Sequence, residues 1–442
     1  MMGIDATDLS QTMRDAICIV RGLRYRYIWI DALCIIQDST DDWLSEASKM
    51  SSVFSGAVVT IAVADAHDHS QGIFRQRVAR CTRPFYIPYM KGIPHRDRIN
   101  VDGEANYYLF PRSELVGAGA RRKGTLDTRG WILQKQLLST RILYYDRDQI
   151  YWDCITLSAS ESSPITASLL EEKDPDEIWA LKLVRRTLVG PLASEALRHR
   201  ISDAWVEIIK NYSARELTIQ EDRLIALKGI LEPLKKILGE DPIAGMWRQD
   251  FWRQLTWWID KPAQSYTGES PYSAPSWSWL AVSQRVYYHN SLLVDHPKEQ
   301  AVAHKFTEFR PYSFMLDHVE SEQLPGNSGV TGAMKVTAKA FSYHLTAVDL
   351  KKPVYKRWHQ ARLKLNTGRW MLYRTIHLPV NLQCLIVAEE AVAKMVVCIC
   401  AVPDEKQPDK WIRVGLCHWD GLAWQIPSFT SQTPETGTFT II

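Results

Sequence analysis

The residues of this chain whose types could do chemistry gather in two short stretches. After an apolar run at positions 27–30 come Asp31, Cys34, Gln37 and Asp38, and after a second apolar run at 58–64 come Asp65, His67, Asp68, His69 and Ser70. Between them Glu46 stands three residues after Trp43 and four before Met50, at the flank of a helical apolar face. A carboxylate placed there can act as a base or accept a hydrogen bond from a ribose hydroxyl; the plainer alternative is a surface glutamate paired with a cation. Asp31 either bonds the amides of the loop it opens or touches a ligand. Cys34 would become a nucleophile if His67 or His69 reached it, although a cysteine between Leu33 and Ile35 is more often a small buried hydrophobe. Gln37 and Asp38 suit capping of the next helix and ligand contact equally.

Other chemistries find less support. His67-x-His69 and Cys398-x-Cys400 have no second ligand pair at tetrahedral spacing, so no metal is expected, and cysteines two apart on a strand share a face and read as core. Gly-x-Gly-x-x-Gly, P-loop and Gly-x-Ser-x-Gly patterns are absent.

The elements that must position these residues follow from periodicity. Apolar residues at three- and four-residue spacing over 9–21 predict a helix, with Asp8 and Gly22 as its caps. The aromatic and β-branched run at 27–30 predicts a strand covered on both faces. Ser39 opens a second helix with Asp42 as reciprocal capping partner; Trp43, Ala47, Met50 and Phe54 form its buried face and Gly56 its end. Strand, helix and the second strand at 58–64 make a βαβ unit, which puts Asp31 and Asp65 on one edge, where open α/β sheets bind ligands. Positions 75–125 read as an irregular insertion, including a solvated basic loop at 75–83. A short helix at 129–138 precedes strands at 141–145 and 149–152 joined by a turn at 146–148. Helices are expected at 176–188, 201–212 and 222–238. From about 270 onward short strands dominate, among them 334–348, 382–388, 396–402 and 411–419.

The expected fold is therefore an α/β N-terminal domain, a parallel sheet with flanking helices (1–155), then a helical middle (156–265) and a β-rich C-terminal region (266–442). A net charge of +3 over 442 residues offers no field for nucleic acid. The eight scattered cysteines read as reduced thiols, the start MMGIDATDLS lacks a secretory pattern, and Glu389, Glu390 and Lys394 interrupt the most apolar late stretch, so a soluble cytoplasmic protein with no membrane span is expected. The 17 tryptophans point to packed cores; Trp277 and Trp279, two apart, would share a strand face used for packing between domains.

Four ordered motifs resemble the fungal heterokaryon-incompatibility (HET) domain family: Trp29-Ile30-Asp31-Ala32-Leu33-Cys34-Ile35-Ile36-Gln37-Asp38; the helix with Trp43, Glu46 and Met50; Arg129, Trp131 and Gln134; and Trp152 with Cys154. Tyr212-Ser213, Arg215, Leu217-Thr218, Asp222-Arg223-Leu224 and residues 274–279 are similar to segments downstream of that domain. The resemblance implies non-self recognition between fungal individuals, programmed cell death, and protein partners of incompatibility signalling or self-association. Through a proposed distant kinship with Toll/interleukin-receptor (TIR) domains it also implies a TIR-like fold and NAD as a candidate substrate, with no cofactor required. On that reading Glu46 and Asp31 are the catalytic candidates, and Cys34, Gln37, Asp38, Trp43, Ser70, Arg129 and Gln134 the ligand contacts. Two departures stand out. The family usually opens with a Tyr-x-x-Leu-Ser-Tyr-x-Trp-Gly segment that does not precede Asp5, which implies a chain lacking its first segment. Lys135 also stands where the family has a glutamate, inverting the charge.

Overall fold

The computed structural model describes residues 4–66, 68–74, 76, 85–87, 107–109, 124–161, 176–190, 195–259, 274–288, 309–324, 329–345, 369–372, 380–390, 395–420 and 434–442. His67 and nearly all of the basic run at 75–83 lie outside these residues. The chain divides into two compact units, Met1–Leu192 and Ala193–Ile442.

In the first unit α1 (Gln11–Gly22) starts at Ser10, whose Oγ accepts from the Met13 amide at 3.4 Å, and not at Asp8 as expected. It ends where Arg24 turns left-handed (φ 65°). The run at 27–30 is extended but joins no sheet, which corrects the expected strand and the βαβ unit built on it. Its side chains divide. Trp29 packs edge-on against Phe54 with ring centroids 5.7 Å apart, whereas Tyr27 is 84% exposed. A short apolar run has no period of its own, so composition could not tell a buried strand from a coil anchored by one large ring.

Asp31 then opens a one-turn helix, α2 (Asp31–Cys34), and α3 follows (Thr40–Gly56). Ser39 caps α3 as expected, its Oγ accepting from the Asp42 amide at 3.2 Å; the return bond goes elsewhere, from the Ile36 amide to Asp42 Oδ2 at 2.8 Å. Next come β1 (Thr60–Val63), the antiparallel ribbon β2 (Phe85–Ile87) and β3 (Tyr107–Leu109), α4 (Gly130–Leu138), β4 (Arg141–Tyr145), β5 (Ile150–Cys154), β6 (Ser158–Ser160) and α5 (Asp176–Val189). The sheet order is β1-β4-β5-β6. Its one parallel pair is β1 with β4, carried by α4 between them, so the expected parallel pairing exists with different strands and the sheet is mixed. Alternation along β1 sets its faces. Ile61 and Val63 pack with Ala16 and Ile19 of α1, and Ala62 and Ala64 with Ile142, Tyr144 and Tyr151.

The second unit begins with α6 (Glu195–Ser213) and α7 (Ile225–Leu238), the latter closed by Gly239 at φ +74°, and α8 (Phe251–Gln254). The strands are β7 (Trp257–Trp258), β8 (Tyr287–Tyr288), β9 (Phe309–Pro311), β10 (Met315–Gln323), β11 (Val330–Leu345), β12 (Arg369–Leu372), β13 (Val380–Glu390), β14 (Met395–Pro403), β15 (Trp411–Asp420) and β16 (Glu435–Ile441). The main sheet runs β10-β11-β16-β15-β14-β13-β9, and β11 also pairs with β13, so the ladder closes on β11. The helical middle and the β-rich end thus form as expected.

Trp277 and Trp279 do not form a strand face. They sit in a turn and a short 3₁₀ segment (Trp279–Ala281), fully buried inside this unit. The indole N–H groups of Trp279 and Trp205 both donate to the Gly245 carbonyl at 3.1 Å, where Gly245 has φ +77° and a Cβ would meet Trp279 at 3.1 Å. Tyr212 packs edge-on against the Trp279 ring and donates to the Arg223 carbonyl at 2.6 Å, and the Arg223 guanidinium lies over that ring at 5.1 Å. The downstream motifs noted in the sequence therefore meet in one core.

Candidate functional site

The candidate site in the first unit is built on α2, α3 and α4. Trp43 of α3 packs edge-on against Trp131 of α4, centroids 5.9 Å apart, within a cluster of Ile35, Met50, Phe54 and Leu138 that Trp29 also joins. Trp43 is therefore a packing residue of this cluster.

Beside the cluster, Asp31 Oδ2 meets Lys135 Nζ at 2.6 Å, and the same ammonium lies 5.5 Å from the Phe54 ring centre. The Lys135 side chain is 17% exposed and that of Asp31 46%, so this pair is only partly shielded. Burial pushes the Asp31 carboxyl up, but the Lys135 charge and hydrogen bond, the Ala32 amide and the Arg129 charge together hold it below the ordinary carboxylate range. The inverted charge at Lys135 thus has a partner.

A pH dependence follows. Because the folded carboxyl is the stronger acid, its contribution is complete above the unfolded value of about 4 and drains away as pH falls through the lower folded one. Lys135→Gln is expected to cost about 1 kcal/mol at pH 7 and to flatten the loss of stability below about pH 4, read as urea midpoint against pH. An acid limb unchanged by the substitution would contradict this.

The other candidates fall around this pair in different ways. Gln37 Nε2 donates to the Ile35 carbonyl at 2.8 Å and to the Asp31 carbonyl at 3.3 Å, which ties the loop to itself. Cys34 is exposed at the end of α2, against the expectation of a buried hydrophobe, and Asp38 is exposed. Arg129 precedes α4 and adds its charge to Asp31, and Gln134 is buried within α4. Glu46 makes its ion pair within its own helix, to Lys49 Nζ at 2.7 Å; its side chain is 20% exposed. Ser70 bonds locally, its amide and hydroxyl both donating to Asp68 Oδ1 at 2.7 and 2.6 Å. Asp31, Gln37, Arg129 and Lys135 thus come together, whereas Glu46 and Ser70 are each engaged by near neighbours in sequence.

The loop after β1 is instead fastened to α1. Asp15, a buried residue, takes the Ile73 amide on Oδ2 at 2.7 Å and the Gln11 side-chain amide on Oδ1 at 2.7 Å, and the Thr12 amide donates to the His69 carbonyl at 3.2 Å. The sequence reading missed Asp15, though its signal was there: an acid four residues before Ile19 lies on the buried stripe of α1. Gly72 adopts φ +73°, and a Cβ there would stand 2.7 Å from Asp15 Oδ2. Gly72→Ala is expected to destabilise the first unit by about 2 kcal/mol, from left-handed strain and displacement of Asp15, measured by urea unfolding. A change near zero would show that the loop can move away freely.

Geometry alone defines this region as an α/β domain with an acid–lysine pair beside a tryptophan-lined helix cluster. Residues 1–135 match the family described as Heterokaryon incompatibility protein (HET), and this part of the chain is a HET domain. Three of the four motifs noted in the sequence fall inside that span, and Trp152 with Cys154 follows it on β5. No curated protein and no solved structure shows a match.

Proposed function

We propose that this chain is a protein of fungal non-self recognition, acting in the cytoplasm, whose HET domain signals programmed cell death by contact with a protein partner. The family match over residues 1–135 carries the reading. Two observations support contact over chemistry. The two acids best placed by sequence are each engaged by a lysine, Asp31 by Lys135 and Glu46 by Lys49. Around them Tyr25, Tyr27, Ile28, Leu33 and Ile36 are exposed apolar residues within one short stretch, the kind of surface that marks interaction sites. Among the described residues no helix is long and apolar enough to cross a membrane.

The second reading is cleavage of NAD by a TIR-like site using Glu46 and Asp31. It draws on the place of Glu46 at the flank of the packed face of α3, with its side chain 20% exposed. Expression in fungal cells separates the two. Viability is expected to fall equally with the native chain and with Glu46→Gln, and to recover when Tyr27, Ile28 and Ile36 are all changed to serine. Loss of toxicity in Glu46→Gln, with the triple variant still toxic, would replace the contact reading by the enzymatic one.

A further inference from the structure

Four cysteines of the second unit lie on one face of three adjacent strands. Strand register places Cys384 of β13 opposite Cys400 of β14, and Cys398 of β14 opposite Cys417 of β15. Cys398 and Cys400 are two residues apart on a regular stretch, so all four side chains leave the sheet on the same side, and Leu385, Ile399 and Leu416 leave it on the other. Gly415, with no side chain, stands opposite Cys400 and completes the row. The sulfurs of Cys384, Cys400 and Cys417 all lie within 4.8 Å of one another, and all three residues are fully buried, as is Cys398.

We propose that Cys384, Cys400 and Cys417 bind one thiophilic d¹⁰ metal ion, of the zinc or cuprous type, that ties β13, β14 and β15 together. Sulfurs bonded to such an ion at about 2.3 Å stand roughly 4 Å apart, so small side-chain rotations close the site without moving the strands. Soft thiolate donors select zinc and cuprous copper over oxygen-seeking cations. Three sulfurs suit trigonal copper. Cys398, directly across from Cys417, supplies the fourth that zinc requires. Each thiol that coordinates gives its proton to solvent as the metal–sulfur bond forms. Until then burial raises the Cys384, Cys398 and Cys400 thiols well above their ordinary range and keeps them neutral, which is how they persist in a dry core. Sequence spacing could not reveal the site, because strand pairing and not a short motif brings its ligands together.

The test uses the full chain, purified under reducing conditions, stripped with a chelator and titrated with Zn(II), or anaerobically with Cu(I), against a competing chelator. One ion per chain is expected to be retained, with only sulfur in the first shell by X-ray absorption, three for copper and four for zinc. Cys400→Ala is expected to lose the ion, and Cys18→Ala and Cys34→Ala to keep it. Should Cys400→Ala fail to fold, the sulfur count on the native chain decides alone. Failure to retain either ion, or nitrogen or oxygen ligands in the first shell, would each overturn the proposal.

Discussion

Replacing Arg185 with alanine is expected to lower the stability of the first unit by about 3–5 kcal/mol, because it strands a partly buried carboxylate and frees a carbonyl at once. The Arg185 side chain, 4% exposed, projects from α5 into the junction of α4 and β4. Its Nε and Nη2 donate to the Ser139 carbonyl at 3.1 and 2.9 Å, and Nη1 makes the ion pair with Asp153 of β5. One guanidinium thus holds a helix, a helix end and a strand. Arg185→Lys keeps the charge but not the planar fork, and is expected to recover less than half of the loss. The urea transition of the first unit checks both, and a change under about 1 kcal/mol in Arg185→Ala would show that water replaces these bonds at little cost.

Trp279→Ala should have an effect of similar size in the second unit, about 3–5 kcal/mol. The ring is fully buried, lies edge-on to Tyr212 and supports the Arg223 guanidinium, so truncation opens a cavity and leaves a buried cation beside it. Trp279→Phe restores the ring but not the N–H. Since Trp205 still donates to the Gly245 carbonyl, the phenylalanine variant is expected to lose only a minor part of that stability. The two variants compared by thermal unfolding separate ring packing from the hydrogen bond. Equal losses in both would mean that the indole donor, and not the ring, carries the effect.

Where a single element explains its own residues, the sequence was legible. The face of α3 could be read from Trp43, Met50 and Phe54 because helical spacing alone aligns them, and β13 and β14 from apolar runs buried on both sides. Legibility failed where a residue's role depends on a distant partner. Lys135 looked like a charge error until Asp31 stood 2.6 Å from it. Asp15, Arg185 and the four cysteines of β13 to β15 likewise take their meaning from segments far along the chain. The run at 27–30 failed for another reason: β-propensity describes fit to a half-buried surface, and here Trp29 and Ile30 are half-buried while Tyr27 and Ile28 are exposed. That error moved the proposed site. A polar rim expected at two strand ends is in fact divided between a loop fastened to α1 and an acid fastened to α4.

Under the proposed function the HET domain signals by contact and consumes no nucleotide. Cellular NAD, followed together with viability after induced expression of the native chain in fungal cells, tests it most directly. Constant NAD until membrane integrity is lost is the predicted result. A fall in NAD that precedes death, and that Glu46→Gln prevents, would contradict it.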